Sequence, residues 1–324
     1  LFKYIISRLI QGVLVLLVVS AITFSLLSAA GGDALTLMSS NPATSEKTLT
    51  EMRQTFGLDR PFYVRYAHWL GNLARGELGQ SFYYQAPVRT VIAPRLLATL
   101  ELAIVALVLA LIISLGLGTA AARWPGGWLD RLSSLIVLGG SSLPRIVIAL
   151  VTLAIVVQTA VFSLGDAGAA SDRSAARLLI TGFVLSVPVI ALFLAQVQDG
   201  LKTAMRAEFV TVARAKGLSE SRLLLRHAMR LALNPLITIA GYSLGGLISG
   251  SVIVETVLGW PGLGQISVTA VRSRDVPLLM GVVLVSATAV LLGNLIADIL
   301  LMLNDPQMRL GAELKRGLFR QPTI

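Results

Sequence analysis

Six stretches of the chain stay apolar for about 20 residues or more, the length an α-helix needs to cross the hydrocarbon core of a bilayer. They lie near residues 9–29, 100–122, 132–162, 178–198, 236–257 and 279–303. The first follows Lys3 and Arg8 and ends on the small residues Ser28-Ala29-Ala30, a pattern shared with secretory signals. It is longer than a signal core needs and five more spans follow it, so a retained first helix is expected. The pattern predicts an all-α polytopic membrane protein with six transmembrane helices and an extracytoplasmic insertion after the first. The expected divisions are a tail and first span at 1–30, an insertion at 31–99, a five-helix core at 100–303 and a tail at 304–324.

Between the spans the periodicity is helical again. In the insertion, Thr44 or Ser45 can cap a short helix that Gly57 ends. After Pro61, the residues Phe62, Tyr66, Trp69, Leu70 and Leu73 recur at helical spacing. That face serves equally as a cap packed on the bundle or as a docking surface for a soluble partner. In the loop 199–235, Leu201, Met205, Phe209, Val212 and Ala213 form one stripe, and Gly217 supplies a helix stop. Ser219 can cap a second short helix carrying Glu220 in its first turn, and Asn234-Pro235 marks a boundary before the next span.

Composition sharpens this picture. With 55% hydrophobic and 14% charged residues in 324, the chain is membrane-class. It has no cysteine, which excludes disulfides, thiolate metal sites and a cysteine nucleophile, and its two histidines, His68 and His227, argue against a histidine-rich metal centre. The net charge of +10 is a question of topology before it is one of nucleic acid. Alternate connections carry 15 and 11 Lys and Arg residues, the 11 spread over longer loops. The richer side includes both termini and the loop 199–235, whose seven bases face only Asp199, Glu208 and Glu220. Both termini of this multi-pass protein are therefore expected in the cytoplasm. The basic loop reads either as a surface neutralised by anionic lipid or as a helical knob for a cytoplasmic protein.

Motifs favour the knob. Glu208-Phe-Val-Thr-Val-Ala213-Arg214-Ala215-Lys216-Gly217, followed by Asn234-Pro235-Leu-Ile-Thr238, resembles the coupling motif of binding-protein-dependent ABC importer permeases. Further stretches, in the family's order, are similar to the first permease type of the dipeptide and oligopeptide importers. They are Phe56-Gly-Leu-Asp-Arg-Pro61, Gly76-Glu-Leu-Gly-Gln-Ser81, Pro87-Val88, Ala98-Thr-Leu-Glu-Leu102, Val254-Glu-Thr-Val-Leu-Gly-Trp-Pro-Gly-Leu-Gly264, Arg274-Asp-Val-Pro277 and Asp305-Pro306. Departures from the family pattern are Gly31 and Ala98, where prolines are usual, a short loop around Gly165 to Arg177, and Gln196 and Asp199 in place of arginines.

The resemblance implies a type I ABC importer permease fold in which 199–235 seats on an ATPase, with Glu208, Ala213, Arg214, Ala215, Lys216, Gly217 and Pro235 at the motif positions. It implies a homologous second permease, two cytoplasmic ATPase subunits and an extracytoplasmic solute-binding protein as partners, working by alternating access. Family cargo includes peptides, glutathione, nickel chelates, opines and sugars. The chain has no G-x-x-x-x-G-K-[ST] loop, so it is not expected to be an enzyme or to carry a cofactor; ATP and Mg²⁺ are expected on the partners.

Charges within the apolar runs are the remaining candidates. Arg145 follows Pro144 well inside the third run, where a charge costs on the order of 3 kcal/mol. Either it lines the translocation path and meets an anionic group, or it pairs with Glu101 or Glu255 and holds helices together. Glu101 and Glu255, further candidates for the translocation path, lie near the extracytoplasmic ends of their spans, where structural hydrogen bonding is the competing reading, and no close acid pair in the sequence marks a hydrolytic centre. The glycines from Gly241 to Gly250 would let another helix approach, at a permease interface or a pore wall. The competing reading from another class is a secondary transporter or channel working without ATPases. A membrane scaffold is a third.

Overall fold

The computed structural model describes residues 2–29, 60–159 and 174–304. The expected helix between Thr44 and Gly57, the Gly31-Gly32-Asp33 stretch, most of the Gly165–Arg177 loop and the tail beyond Asn304 lie outside them. In chain order the elements are α1 (Phe2–Ala29), α2 (Phe62–Ala74), an antiparallel hairpin of β1 (Gln80–Ser81) and β2 (Ala86–Pro87), α3 (Val88–Arg123), α4 (Trp128–Ser142) and α5 (Arg145–Thr159). They continue with α6 (Ala175–Met205), α7 (Glu208–Ala215), α8 (Glu220–Leu258), α9 (Leu263–Arg272) and α10 (Val276–Asn304). The fold is all-α apart from that hairpin, among the described residues.

Among the described residues, five helices, α1, α3, α6, α8 and α10, are long and apolar enough to cross a membrane. The sixth expected span is not one helix. It is α4 and α5, bent by 107° at a break. Proline hinders helical conformation in the residue before it, and Leu143, just ahead of Pro144, is extended with ψ 126°. Each half has 15 residues, about 22 Å at helical rise, short of the roughly 30 Å core.

Three further expectations change. Helix α3 begins at Val88, twelve residues before its apolar run, because Arg89 and Arg95 interrupt hydropathy without interrupting helix. The stretch after Gly217 is no short helix, since α8 runs on through Pro235 into the span. Ser219 occupies the cap position but makes no side-chain cap bond.

The chain divides into two units. One comprises residues 1–102, 149–181 and 248–290. Its core joins Val88 and Ile92 of α3, Leu263, Ile266 and Ala270 of α9, and Leu278 and Val282 of α10. Gly281 makes room for them, since a Cβ there would lie 2.6 Å from Val88 Cγ1. Helix α2 lies on α1, with the Phe24 ring 6.1 Å from Phe62 and 5.4 Å from Tyr66, whose hydroxyl is 2.9 Å from Ser20 Oγ.

The other unit comprises residues 103–148, 182–247 and 291–324. Helices in lipid gain little from hydrophobicity and associate through close contact of small residues. Here a Cβ on Gly140 would lie 2.8 Å from Ala191, on Gly200 3.0 Å from Ala232, and on Gly241 2.5 Å from Ala297. The small face at Gly241 is thus used within the chain. Polar contacts add to this packing: Gln198 Nε2 donates to Ser133 Oγ (2.5 Å), and Tyr242 Oη donates to Asp298 Oδ1 (2.7 Å).

Candidate functional site

The loop expected to carry coupling is an elbow. Helix α6 ends at Met205, two residues turn the chain, and α7 starts at Glu208 with its acidic side chain in the first turn, where it complements the helix dipole. Helix α7 closes on a Schellman cap: Leu218 N donates to Ala213 O (3.2 Å) and Gly217 N to Arg214 O (2.9 Å), with Gly217 at φ +80°. That conformation is open to glycine and strained for most other residues. Arg214 grips Glu220 across the turn with Nε and Nη2 donating at 2.6 and 3.1 Å. It therefore braces the elbow from within.

The expected stripe does not bury as one face. Leu201 and Val210 are buried, while Phe209 and Val212 are 38% and 54% exposed. The turn at Arg206-Ala207 rotates α7 out of the α6 register, so Phe209 and Val212 face outward beside Glu208, Ala215, Lys216 and Gly217, all exposed, and half-buried Ala213. Pro235 lies exposed within α8. A π-helical turn, Leu223–Ala228, joins the elbow to the rest of α8.

In the first unit, the motif from Val254 to Gly264 forms a buried return between α8 and α9. The polar backbone groups buried in it need partners within the protein. At the end of α8, the Arg177 guanidinium donates to the carbonyls of Leu258 and Gly259. At the start of α9, Leu263 N donates to Thr99 Oγ1 (2.8 Å), and Gly264 N and Gln265 N donate to Glu255 Oε2 (2.6 and 3.4 Å). Thr99 Oγ1 in turn donates to Glu255 Oε1 (2.7 Å). Two side chains from other helices thus cap the first three orphan N–H groups of α9. Trp260, fully buried, donates from Nε1 to Ala98 O (3.0 Å).

Asp275 plays the matching part for α10. Its Oδ1 accepts from Leu278 N (3.1 Å), and its Oδ2 accepts from Ser81 Oγ (2.5 Å) and Tyr83 N (3.0 Å). Five of the sequence motifs, those from Gly76, Pro87, Ala98, Val254 and Arg274, therefore meet in one unit.

Glu255 is a helix cap. Glu101 is half-buried in α3. Arg145 is the first residue of α5, half-buried, and makes no hydrogen bond or ion pair among the described residues. Sequence reasoning counted Arg177 as a loop charge, yet it is 1% exposed. Its partners lie 81 and 82 residues away, so no local pattern marks it. Asp275 did carry a signal: an acid followed by Val276-Pro277 is a helix start.

The chain matches the family model described as "Binding-protein-dependent transport system inner membrane component" over residues 112–310. It matches the N-terminal model of the same membrane components over residues 1–103. It is 34% identical over 313 residues to the oligopeptide transport system permease protein AppB of Bacillus subtilis (strain 168), covering 94% of this chain and 98% of that protein. It is 31% identical over 309 residues to the glutathione transport system permease protein GsiC of Escherichia coli (strain K12), covering 95% and 99%.

Proposed function

Because the chain belongs to the family of inner-membrane components of binding-protein-dependent transport systems, we propose that it forms half of the translocation pathway of an importer for peptides or peptide-like solutes and takes its power stroke through the elbow 199–235. It is a multi-pass permease component of an ABC importer and not an enzyme; a secondary transporter or channel without ATPases has no support from its relatives. The peptide class comes from relatives that carry oligopeptides and glutathione.

The observation that carries the coupling role is the exposed apolar pair Phe209 and Val212 on a short helix held rigid by Gly217 and the Arg214–Glu220 clasp. Exposed apolar groups beside charges on a braced element suit a protein partner better than water. In this reading α7 seats on one of two cytoplasmic ATPase subunits, which bind the ATP and Mg²⁺. A second, homologous permease completes the pathway. Both termini are cytoplasmic, counting α4 and α5 together as one crossing. ATP binding closes the ATPases, the elbows approach, and the pathway opens toward a loaded solute-binding protein; hydrolysis resets it. Arg145 lines the path and meets an anionic group of the cargo.

Gly217→Trp tests the elbow. A side chain at φ +80° costs on the order of 1–2 kcal/mol, and a bulky ring there obstructs the seat. The expected result is loss of ATPase co-purification and of transport together, with Gly217→Asn, which tolerates that conformation, keeping both. Retention of both by the tryptophan variant would refute the coupling role.

A further inference from the structure

In the second unit, helices α3, α8 and α10 enclose an apolar groove of about 280 Å³. Its floor is the close contact of α8 with α10, where Gly241 meets Ala297. Its walls are bulkier: Leu107, Leu111 and Leu115 stand on α3, and Leu233, Ile237 and Leu244 on α8. These are half-buried or, as at Ile237, exposed, so the groove opens at the protein surface. No side chain lining it is polar.

Both walls lead to an arginine. Residues four apart on a helix lie nearly in line, so Leu107, Leu111, Leu115, Thr119 and Arg123 form one row of α3. Thr119 turns its hydroxyl back to Leu115 O (2.5 Å), which keeps the row apolar up to the arginine. On α8, Arg230, Leu233, Ile237, Ala240 and Leu244 follow one face in the same way. Arg123 lies within electrostatic reach of Glu220 at the start of α8, so the two rows end on the same side, that of the elbow. Glu220 itself is already held by Arg214. Arg123 and Arg230 are exposed, and neither makes an ion pair among the described residues.

The height of this crown is marked independently. Trp124 and Trp128, 59% and 72% exposed, flank the turn after α3, and the Arg123 guanidinium lies 5.8 Å from the Trp124 ring centroid. The turn is held: Gly127 N donates to Trp124 O (3.1 Å), Gly126 takes φ +76°, and Gly126 N donates to Asp130 Oδ2 (3.0 Å). Tryptophans collect at headgroup level, so this layer is the membrane surface on the elbow's side. From Arg123 to Leu107 α3 rises about 24 Å, and from Arg230 to Leu244 α8 rises about 21 Å. A leaflet with its headgroups is about 20–22 Å deep. Groove and crown together therefore span one leaflet. A partner helix, about 10–12 Å across, does not enter a groove of this volume. A peptide would leave its backbone N–H and C=O groups unbonded against the apolar walls. An acyl chain has neither difficulty.

We propose that this groove binds an acyl chain of an anionic phospholipid whose phosphate is held by Arg123 and Arg230. The inference goes beyond transport and stands whether or not the elbow couples to an ATPase. The apolar walls supply the contact with the chain, and the two arginines, which present forked donors to phosphate, select the negative headgroup.

The experiment follows the thermal midpoint of the full chain in a neutral detergent, titrated with phosphatidylglycerol or with phosphatidylcholine of the same acyl chains. A ligand that binds the folded state raises the midpoint by mass action. Phosphatidylglycerol is expected to half-saturate the rise at about a tenfold lower concentration than phosphatidylcholine, whose choline offsets the phosphate charge. Arg123→Gln/Arg230→Gln is expected to remove that tenfold preference and leave the lipid-free midpoint unchanged, while Arg123→Lys/Arg230→Lys keeps most of it. Ala240→Phe, which fills the groove, is expected to weaken both lipids about fivefold or more, and it decides alone if the glutamine pair does not fold. Glycerol 3-phosphate, a headgroup without chains, is expected to leave the midpoint where it is. Equal half-saturation by the two lipids in the wild type overturns the proposal. So does a preference that survives the glutamine pair, or binding that survives Ala240→Phe, either of which would spread the lipid over the basic surface at large. A shift by glycerol 3-phosphate alone would make the arginines a site for free phosphates and overturn it too.

Discussion

Glu255→Ala is expected to lower the thermal midpoint of the detergent-solubilised protein sharply, through a loss of about 3–5 kcal/mol. The carboxylate is the acceptor for Thr99 Oγ1, Gly264 N and Gln265 N, all in a buried return. Each orphaned donor costs about 1–3 kcal/mol, the 3.4 Å bond to Gln265 least. The loss does not stay at one residue. Without Glu255, α9 keeps only the Thr99 bond at Leu263 N to cap a buried N-terminus, and Leu263 and Ile266 of that helix are part of the core that holds α3 and α10. Glu255→Gln keeps an acceptor oxygen but turns an amide N–H₂ toward donors, so it is expected to fall between wild type and alanine. Gly264→Ala attacks the return from the other side: the added Cβ would run into the Val252 backbone and the Glu255 carboxyl, and backbone cannot yield as a flexible side chain can. Its midpoint is expected to drop at least as far. A wild-type midpoint for Glu255→Ala would show that the cap contributes nothing and that packing alone holds the return.

What the chain's pattern disclosed and what it hid follow one physical division. Long apolar runs report burial in lipid directly, so α1, α3, α6, α8 and α10 were legible as spans. A helix stop such as Gly217 is local too, and both its conformation and its cap agree with the pattern. The break at Leu143-Pro144 was half legible: Pro144 announced a disturbance, but hydropathy on both sides was continuous and gave no measure of the 107° bend. Pro235 erred in the opposite direction. Asn234-Pro235 reads as a boundary in water, yet within a long apolar helix one missing N–H is tolerated because the remaining bonds have no competitor. The caps by Thr99 and Arg177 were beyond sequence, because each joins residues far apart in the chain, and the cap by Glu255, though it reaches only to Gly264 and Gln265, changes no periodicity around it. A charge near a span end looks the same whether it faces solvent, as Arg89 does, or ties a buried turn, as Arg177 does.

Arg145→Met is expected to cut uptake of cargo bearing a free carboxylate at least tenfold, while uptake of the same peptides with amidated ends changes little. The guanidinium stands at the start of α5, where the helix dipole is positive and repels it. It has no hydrogen-bonding or ionic partner among the described residues, and a charge within a span costs on the order of 3 kcal/mol. A group so placed gives a static fold nothing to offset that cost, whereas a passing anion would offset it during each cycle. Removing the charge should then leave the thermal midpoint unchanged or raised, and Arg145→Lys should keep most of the preference for acids over amides. Half-helix ends facing a pathway are a recurring way to meet anionic cargo in transporters. Uptake into proteoliposomes containing the assembled importer separates the readings. Equal wild-type rates for acids and amides in Arg145→Met would remove Arg145 from the path. A falling midpoint with unchanged selectivity would make it a structural charge.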